Sequence, residues 1–189
     1  FDFTSLIALL TAFKPAFNGV RNIYMYASEN ASNTGWVLRG SFAVLAGGTP
    51  VANSAVPGSG SGPGQRFSFT ISDASGSSYL TQLVVLFAAT LDNANACNLM
   101  YDRIANRATL AYDIPANGSA SLTPGANAVI INAQCSLRGA NTTVVYTATS
   151  MIVTFDLIFN ASYFGAKNIY LYAAEAGANE PVLLDRVPD

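Results

Sequence analysis

Short stretches in which apolar and polar residues alternate recur along this chain, with turn-forming residues between them. Phe67, Phe69 and Ile71 occupy every second position of residues 66–72. Because successive side chains of a β-strand point to opposite faces, this spacing predicts a half-buried strand. Residues 83–89 are apolar throughout, which is typical of a central strand covered on both faces. A helix is the competing interpretation of that segment.

Similar patterns predict about eleven strands and almost no helix. So many strands within 189 residues suit two packed sheets better than one. We therefore expect an all-β fold, an Ig-like antiparallel β-sandwich. The predicted strands are 3–13, 21–27, 35–45, 65–72, 79–90, 97–103, 107–112, 128–137, 143–159 as two strands, 168–174 and 182–187.

Two segments of the chain are similar to each other. Residues 13–29 read FKPAFNGVRNIYMYASE, and residues 159–175 read FNASYFGAKNIYLYAAE. They align without a gap at a spacing of 146 residues and share the first Phe, the Gly, the Asn-Ile-Tyr triplet, the second Tyr, an Ala and the Glu. This density of identities indicates an internal repeat.

The repeat predicts the domain organisation. Residues 65–189 form one complete repeat, and residues 1–46 are the C-terminal third of a preceding one. Residues 47–64 are rich in Gly, Ser and Pro and are expected to form a linker.

An incomplete repeat with this much apolar surface is not expected to be stable alone. Three arrangements would stabilise it: a longer chain completes the repeat, the fragment docks on the second repeat, or another subunit completes it by strand addition. For the last arrangement the apolar start of the chain is the predicted assembly strand. The residues assigned to it are Phe1, Phe3, Leu6 and Leu9.

Charge restricts the partners of the protein. Charged residues make up 11% of the chain and its net charge is −2, with no cluster of Lys and Arg. Nucleic acid is therefore not an expected partner. The apolar runs are too short or too interrupted to cross about 30 Å of hydrocarbon, so we expect no membrane insertion.

Catalytic chemistry is not indicated. The chain has no histidine, which removes Ser-His-Asp and Cys-His mechanisms. Its acids are scattered singly and are expected to be solvated carboxylates of turns or strand ends. Asp92 and its neighbours lack the bidentate acid typical of a calcium loop. We expect no enzyme activity, no cofactor and no metal.

Cys97 and Cys135 are an even pair, which favours a disulfide bond in an extracellular protein. Two buried free thiols are the alternative. Four Asn-x-Ser/Thr triplets are possible N-glycosylation sites in a host with that machinery. They lie at Asn30, Asn117, Asn141 and Asn160.

Alternation places two pairs of tyrosines on one face of their strands, and these form a possible binding face for sugar rings or for a partner. Local hydrogen bonding at the edge of the sandwich is the alternative role of these side chains. The residues are Tyr24, Tyr26, Tyr170 and Tyr172.

Residues 13–27, with Gly35 and Trp36, resemble the tandem Ig-like repeats of large secreted proteins from environmental bacteria. The second copy keeps Gly165 and the Asn-Ile-Tyr triplet but loses the Lys-Pro pair and the Trp. The similarity extends over nearly the whole chain, and the paired cysteines fall where the family has them. It implies an extracellular β-sandwich repeat and no catalytic activity.

These observations predict an extracellular structural protein, a subunit of a surface filament or repeat stalk that assembles head to tail. Its partners would be copies of itself. The alternative is an adhesin or carbohydrate-binding module that uses the tyrosines to bind glycans or cell-surface polysaccharide.

Overall fold

A computed structural model describes residues 17–44, 48–175 and 185–186. The chain divides into two compact units, unit 1 (Phe1–Ala46) and unit 2 (Gly47–Asp189). Strand 3–13 and the assembly residues Phe1, Phe3, Leu6 and Leu9 lie outside the described residues, as does most of the strand predicted at 182–187.

The described residues of unit 1 form two antiparallel pairs of strands. Strand β1 (Gly19–Met25) pairs with β4 (Val37–Val44), and the short β2 (Ser28–Glu29) pairs with β3 (Ser32–Asn33). Every side chain of β1 is exposed. Most side chains of β4 are exposed too, but Val37 is half-buried and Val44 is buried.

Unit 2 consists of two antiparallel sheets. In chain order its strands are β5 (Val51–Val56), β6 (Gly64–Ser72), β7 (Leu80–Ala88), β8 (Cys97–Asp102), β9 (Arg107–Ala111), β10 (Ser119–Leu122), β11 (Val129–Ile131), β12 (Cys135–Arg138), β13 (Thr143–Tyr146), β14 (Ser150–Phe159), β15 (Asn168–Glu175) and β16 (Asp185–Arg186). One sheet has the order β10-β9-β8-β7-β15-β16, and the other has the order β11-β12-β14-β6-β5 with β13 also on β14.

A single hydrophobic core joins the two sheets. Phe69 and Ile71 of β6 and Phe155 of β14 face Leu83 and Val85 of β7, and all five are fully buried. Antiparallel sheets that share a core in this way are consistent with a β-sandwich. The predicted all-β class is confirmed.

Strand β7 also shows why residues 83–89 are apolar throughout. Its core-facing residues alternate with Leu86 and Ala88, which are buried on the other face with Ala96 and against Tyr170. The segment is thus a strand covered on both faces, and the helical alternative is wrong.

The predicted linker 47–64 is wrong in its central part, because β5 lies within it and pairs with β6. Ala55 of this strand is buried in the core. Of the glycines that suggested a linker, Gly58, Gly60 and Gly62 fall in the loop after β5, whereas Gly48 precedes β5 and Gly64 begins β6. Strand β10, built from small residues at the edge of its sheet, was also not predicted.

Candidate functional site

The two similar segments adopt the same local structure in the two units. Gly19, the first residue of β1, has a φ of 98°, and Gly165, which precedes β15, has a φ of 91°. This left-handed region is accessible to glycine at little cost, which explains why both copies carry it. The two turns therefore share a backbone requirement.

Side chains around the two turns also correspond. The Arg21 guanidinium lies 4.4 Å from the centre of the Phe17 ring, and the Lys167 amine lies 4.4 Å from that of Tyr163. Each cation also donates hydrogen bonds to carbonyl groups of its own turn. Such cation–π contacts stabilise the turn that leads into each strand.

The Asn-Ile-Tyr triplets have a common hydrogen bond. The Asn168 amide donates to the Tyr170 hydroxyl over 3.1 Å, and the Asn22 amide donates to the Tyr24 hydroxyl over 3.4 Å. The hydroxyls of Tyr24 and Tyr170 therefore have a hydrogen-bond partner within their own strand. This agrees with the alternative role of these side chains, which is local hydrogen bonding in place of ligand binding.

The two copies of the repeated segment, β1 and β15, differ in how deeply their side chains are buried. Met25 is 61% exposed, whereas Leu171 at the matching position is 1% exposed. Leu171 belongs to the core because β15 pairs with β7 and lies over the opposite sheet. Strand β1 has the same sequence pattern but no equivalent covering among the described residues.

The four tyrosines of the predicted binding face differ in accessibility. Tyr24 and Tyr26 of unit 1 are 51% and 47% exposed, and the Tyr26 ring lies 5.4 Å from that of the exposed Trp36. Tyr170 and Tyr172 of unit 2 are only partly accessible. The exposed aromatic group is therefore Tyr24, Tyr26 and Trp36; Trp36 was not among the residues predicted for this face.

Cys97 and Cys135 form a disulfide bond, as predicted. Cys97 begins β8 in one sheet and Cys135 begins β12 in the other. The bond therefore links the two sheets covalently.

All four predicted glycosylation residues are exposed. Asn141 differs from the others because its side-chain amide donates a 2.7 Å hydrogen bond to the buried carboxylate of Asp156. A glycan on Asn141 would have to leave that hydrogen bond in place.

Two acids expected in solvated turns are buried, so that expectation is wrong for Asp73 and Asp156. Burial acts to raise the pKa of Asp156, but hydrogen bonds from Arg138 and Asn141 outweigh it and lower that pKa. Sequence gave no signal for this, because the donors come from other segments.

Asp73 lies directly after β6, and its carboxyl group meets that of Glu175 at the end of β15. Burial, the hydrogen bond with Asp73 and its charge raise the pKa of Glu175 to about 7. Neither acid lines a described cavity.

A cavity of unit 2 has a volume of about 620 Å³. It lies between the glycine-rich loop that follows β5 and the turn that precedes β15. Its floor is formed by the rings of Phe67, Phe87 and Phe159, which contact one another edge to face. No carboxylate lines this cavity.

Two further structural observations apply to the described part of the chain. No group of three or more potential metal-ligating side chains is found there. Nor does any helix there have the length and apolar character needed to span a membrane. Comparison of the sequence and structure with protein-family models, curated proteins and solved structures gives no match.

Proposed function

We propose that the protein is an extracellular structural protein, an Ig-like repeat of a surface filament or stalk assembled head to tail, without catalytic activity. In this proposal unit 2 is a complete repeat and unit 1 is the C-terminal part of a preceding one. Strands from elsewhere complete unit 1.

The observation that carries the proposal is the contrast between β1 and β15. The two strands share sequence, entry turn and local hydrogen bonding, yet one is exposed and the other is part of a core. Apolar residues arranged in this way are stable when a further sheet covers them. Unit 1 therefore has the chemistry of a sandwich that is completed on assembly.

An extracellular location is supported by the disulfide bond, which is typical of oxidising compartments. The low charge of the chain gives its surface little electrostatic repulsion between copies. Both features suit a protein that packs against copies of itself outside the cell.

Electron microscopy of the purified chain, with sizing in solution, tests this function. We expect filaments or head-to-tail oligomers of regular width. A matched variant, Met25→Asp with its control Glu29→Gln, places a charge on the exposed face of β1 and should abolish assembly. A monodisperse monomer at all concentrations would contradict assembly between subunits.

A second candidate function is carbohydrate binding. The exposed Tyr24, Tyr26 and Trp36 favour it, because aromatic faces of this kind stack on sugar rings. Polysaccharide pull-down that is lost in Trp36→Ala and Tyr26→Ala but kept in Tyr172→Ala would support this function. Equal binding by all three variants would contradict it.

A further inference from the structure

The edge of β1 that faces away from β4 corresponds to the edge by which β15 pairs with β7. Strand β4 follows β1 in the chain and pairs with it, as β16 follows and pairs with β15. The other edge of β15 carries β7. Within the described residues the matching edge of β1 has no partner strand.

We infer that this edge binds an antiparallel strand with the chemistry of β7, donated by an equivalent repeat. The inference rests on the proposed function and adds the identity and register of the partner strand. An unpaired edge with apolar side chains is a template for such strand addition.

The pairing of β15 with β7 in unit 2 gives the expected register of the donated strand on β1. Ile169 lies opposite Phe87, and Leu171 lies opposite Val85. With the spacing of the repeat, Ile23 takes the place of Ile169 and Met25 that of Leu171. The donated strand therefore places its Phe87-type residue opposite Ile23 and its Val85-type residue opposite Met25.

The donor must be apolar on both faces. Strand β7 sends Leu83, Val85 and Phe87 into the core and buries Leu86 on its other face. Strand β6 carries polar side chains on one face. A donor of that kind would bury those polar groups in the completed sheet. This difference selects a central strand of a repeat as the partner of β1.

The test uses the full chain and a peptide with the sequence of residues 80–88, flanked by lysines for solubility and carrying Phe87→Cys. Chain variants Ile23→Cys and Val20→Cys are mixed with it in a glutathione redox buffer. Val20 is an exposed residue of the same strand, but it corresponds to Ala166, which lies before β15. Opposed residues bring their Cβ atoms close enough for a disulfide.

We expect the mixed disulfide with Ile23→Cys to form at least about tenfold faster than that with Val20→Cys, and to be lost when the peptide also carries Val85→Pro. Proline removes a hydrogen-bond donor from the ladder. Equal rates for the two variants, or no reaction with either, would overturn the inference.

Different results would contradict the filament function and the donation of a strand to β1. Filaments without register-specific peptide capture would overturn the inference and leave the filament function standing. Capture at Ile23 by a chain that never assembles would support the edge and contradict the filament.

Discussion

The carboxyl groups of Asp73 and Glu175 meet across the two sheets of unit 2, and the buried oxygens Asp73 Oδ2 and Glu175 Oε2 have no hydrogen-bond donor. Glu175 lies opposite Leu80 at the start of β7, whereas Cys97 lies opposite Phe87 near its end. The two contacts are separated by seven strand residues, about 23 Å. The sheets are thus linked by a disulfide at one end and by a carboxyl pair at the other.

A shared proton explains the carboxyl pair, because two ionised carboxylates in contact repel each other. The folded state keeps Glu175 protonated up to about pH 7, while the unfolded chain releases this proton near 4.5. Folded protein therefore binds more protons between these values, and stability falls as the pH rises through this window.

We expect the equilibrium constant for unfolding of unit 2 to increase at least about tenfold between pH 4.5 and 7, since one pKa unit corresponds to a factor of ten. Urea unfolding across this range measures the change. Glu175→Gln keeps a hydrogen-bond donor toward Asp73 and should flatten the profile. The exposed Glu29→Gln serves as control, and a flat wild-type profile would contradict the shared proton.

The disulfide should contribute substantially to stability because it closes a loop of 38 residues. On the chain-entropy model its loss costs about 3 to 4 kcal/mol. Denaturant unfolding of the Cys97→Ala and Cys135→Ala double variant measures this cost. Reductant should destabilise the wild type to a similar extent and leave the double variant unchanged; a reductant effect on the variant would show that another cause is involved.

Arg138 pairs with the buried Asp156 over 2.5 Å. Arg138→Ala leaves that carboxylate without its cation, and we expect a loss of about 2 kcal/mol because the arginine is itself partly exposed. Urea unfolding at pH 7 measures the loss, with the exposed Arg107→Ala as control. The lowered pKa of Asp156 adds stability that is present above its ordinary value of 3.8 and is lost as the pH falls below it, a sign opposite to that of Glu175.

Asn141 completes the same buried site by donating to Asp156. We expect Asn141→Gln to cost about 1.5 kcal/mol, at the lower end of the range for a hydrogen bond to a charged group. The matching changes Asn30→Gln and Asn117→Gln should each stay within about 0.5 kcal/mol. Thermal unfolding of the unglycosylated proteins makes the comparison, and equal effects at all three positions would argue against a structural role of Asn141.

Matched truncations test the difference between the two copies. Leu171→Ala removes a core side chain and should cost about 3 kcal/mol, whereas Met25→Ala should cost less than about 1 kcal/mol in the isolated chain. If assembly covers β1, the Met25 variant should weaken assembly while leaving unfolding of the monomer unchanged. A large effect of Met25→Ala on the monomer would show that β1 is already packed.

Much of the fold was predictable because the signals are local. Alternation at Phe67, Phe69 and Ile71 marked β6, and the even cysteine count indicated the disulfide. Strand β5 was missed because its flanking glycines and prolines outweighed a short alternating segment. The contact of Asp73 with Glu175 had no local signal, since about one hundred residues separate the two acids.

Local sequence patterns identify most of the strands, the glycines that permit the backbone to enter β1 and β15, and the relation of these two segments as copies of one pattern. The burial of Leu171, the exposure of Met25 and the interior position of two acids follow from the tertiary fold. The physical reason is that backbone conformation depends on near neighbours. Burial depends on which distant strands lie alongside and above, and the two copies differ in those strands.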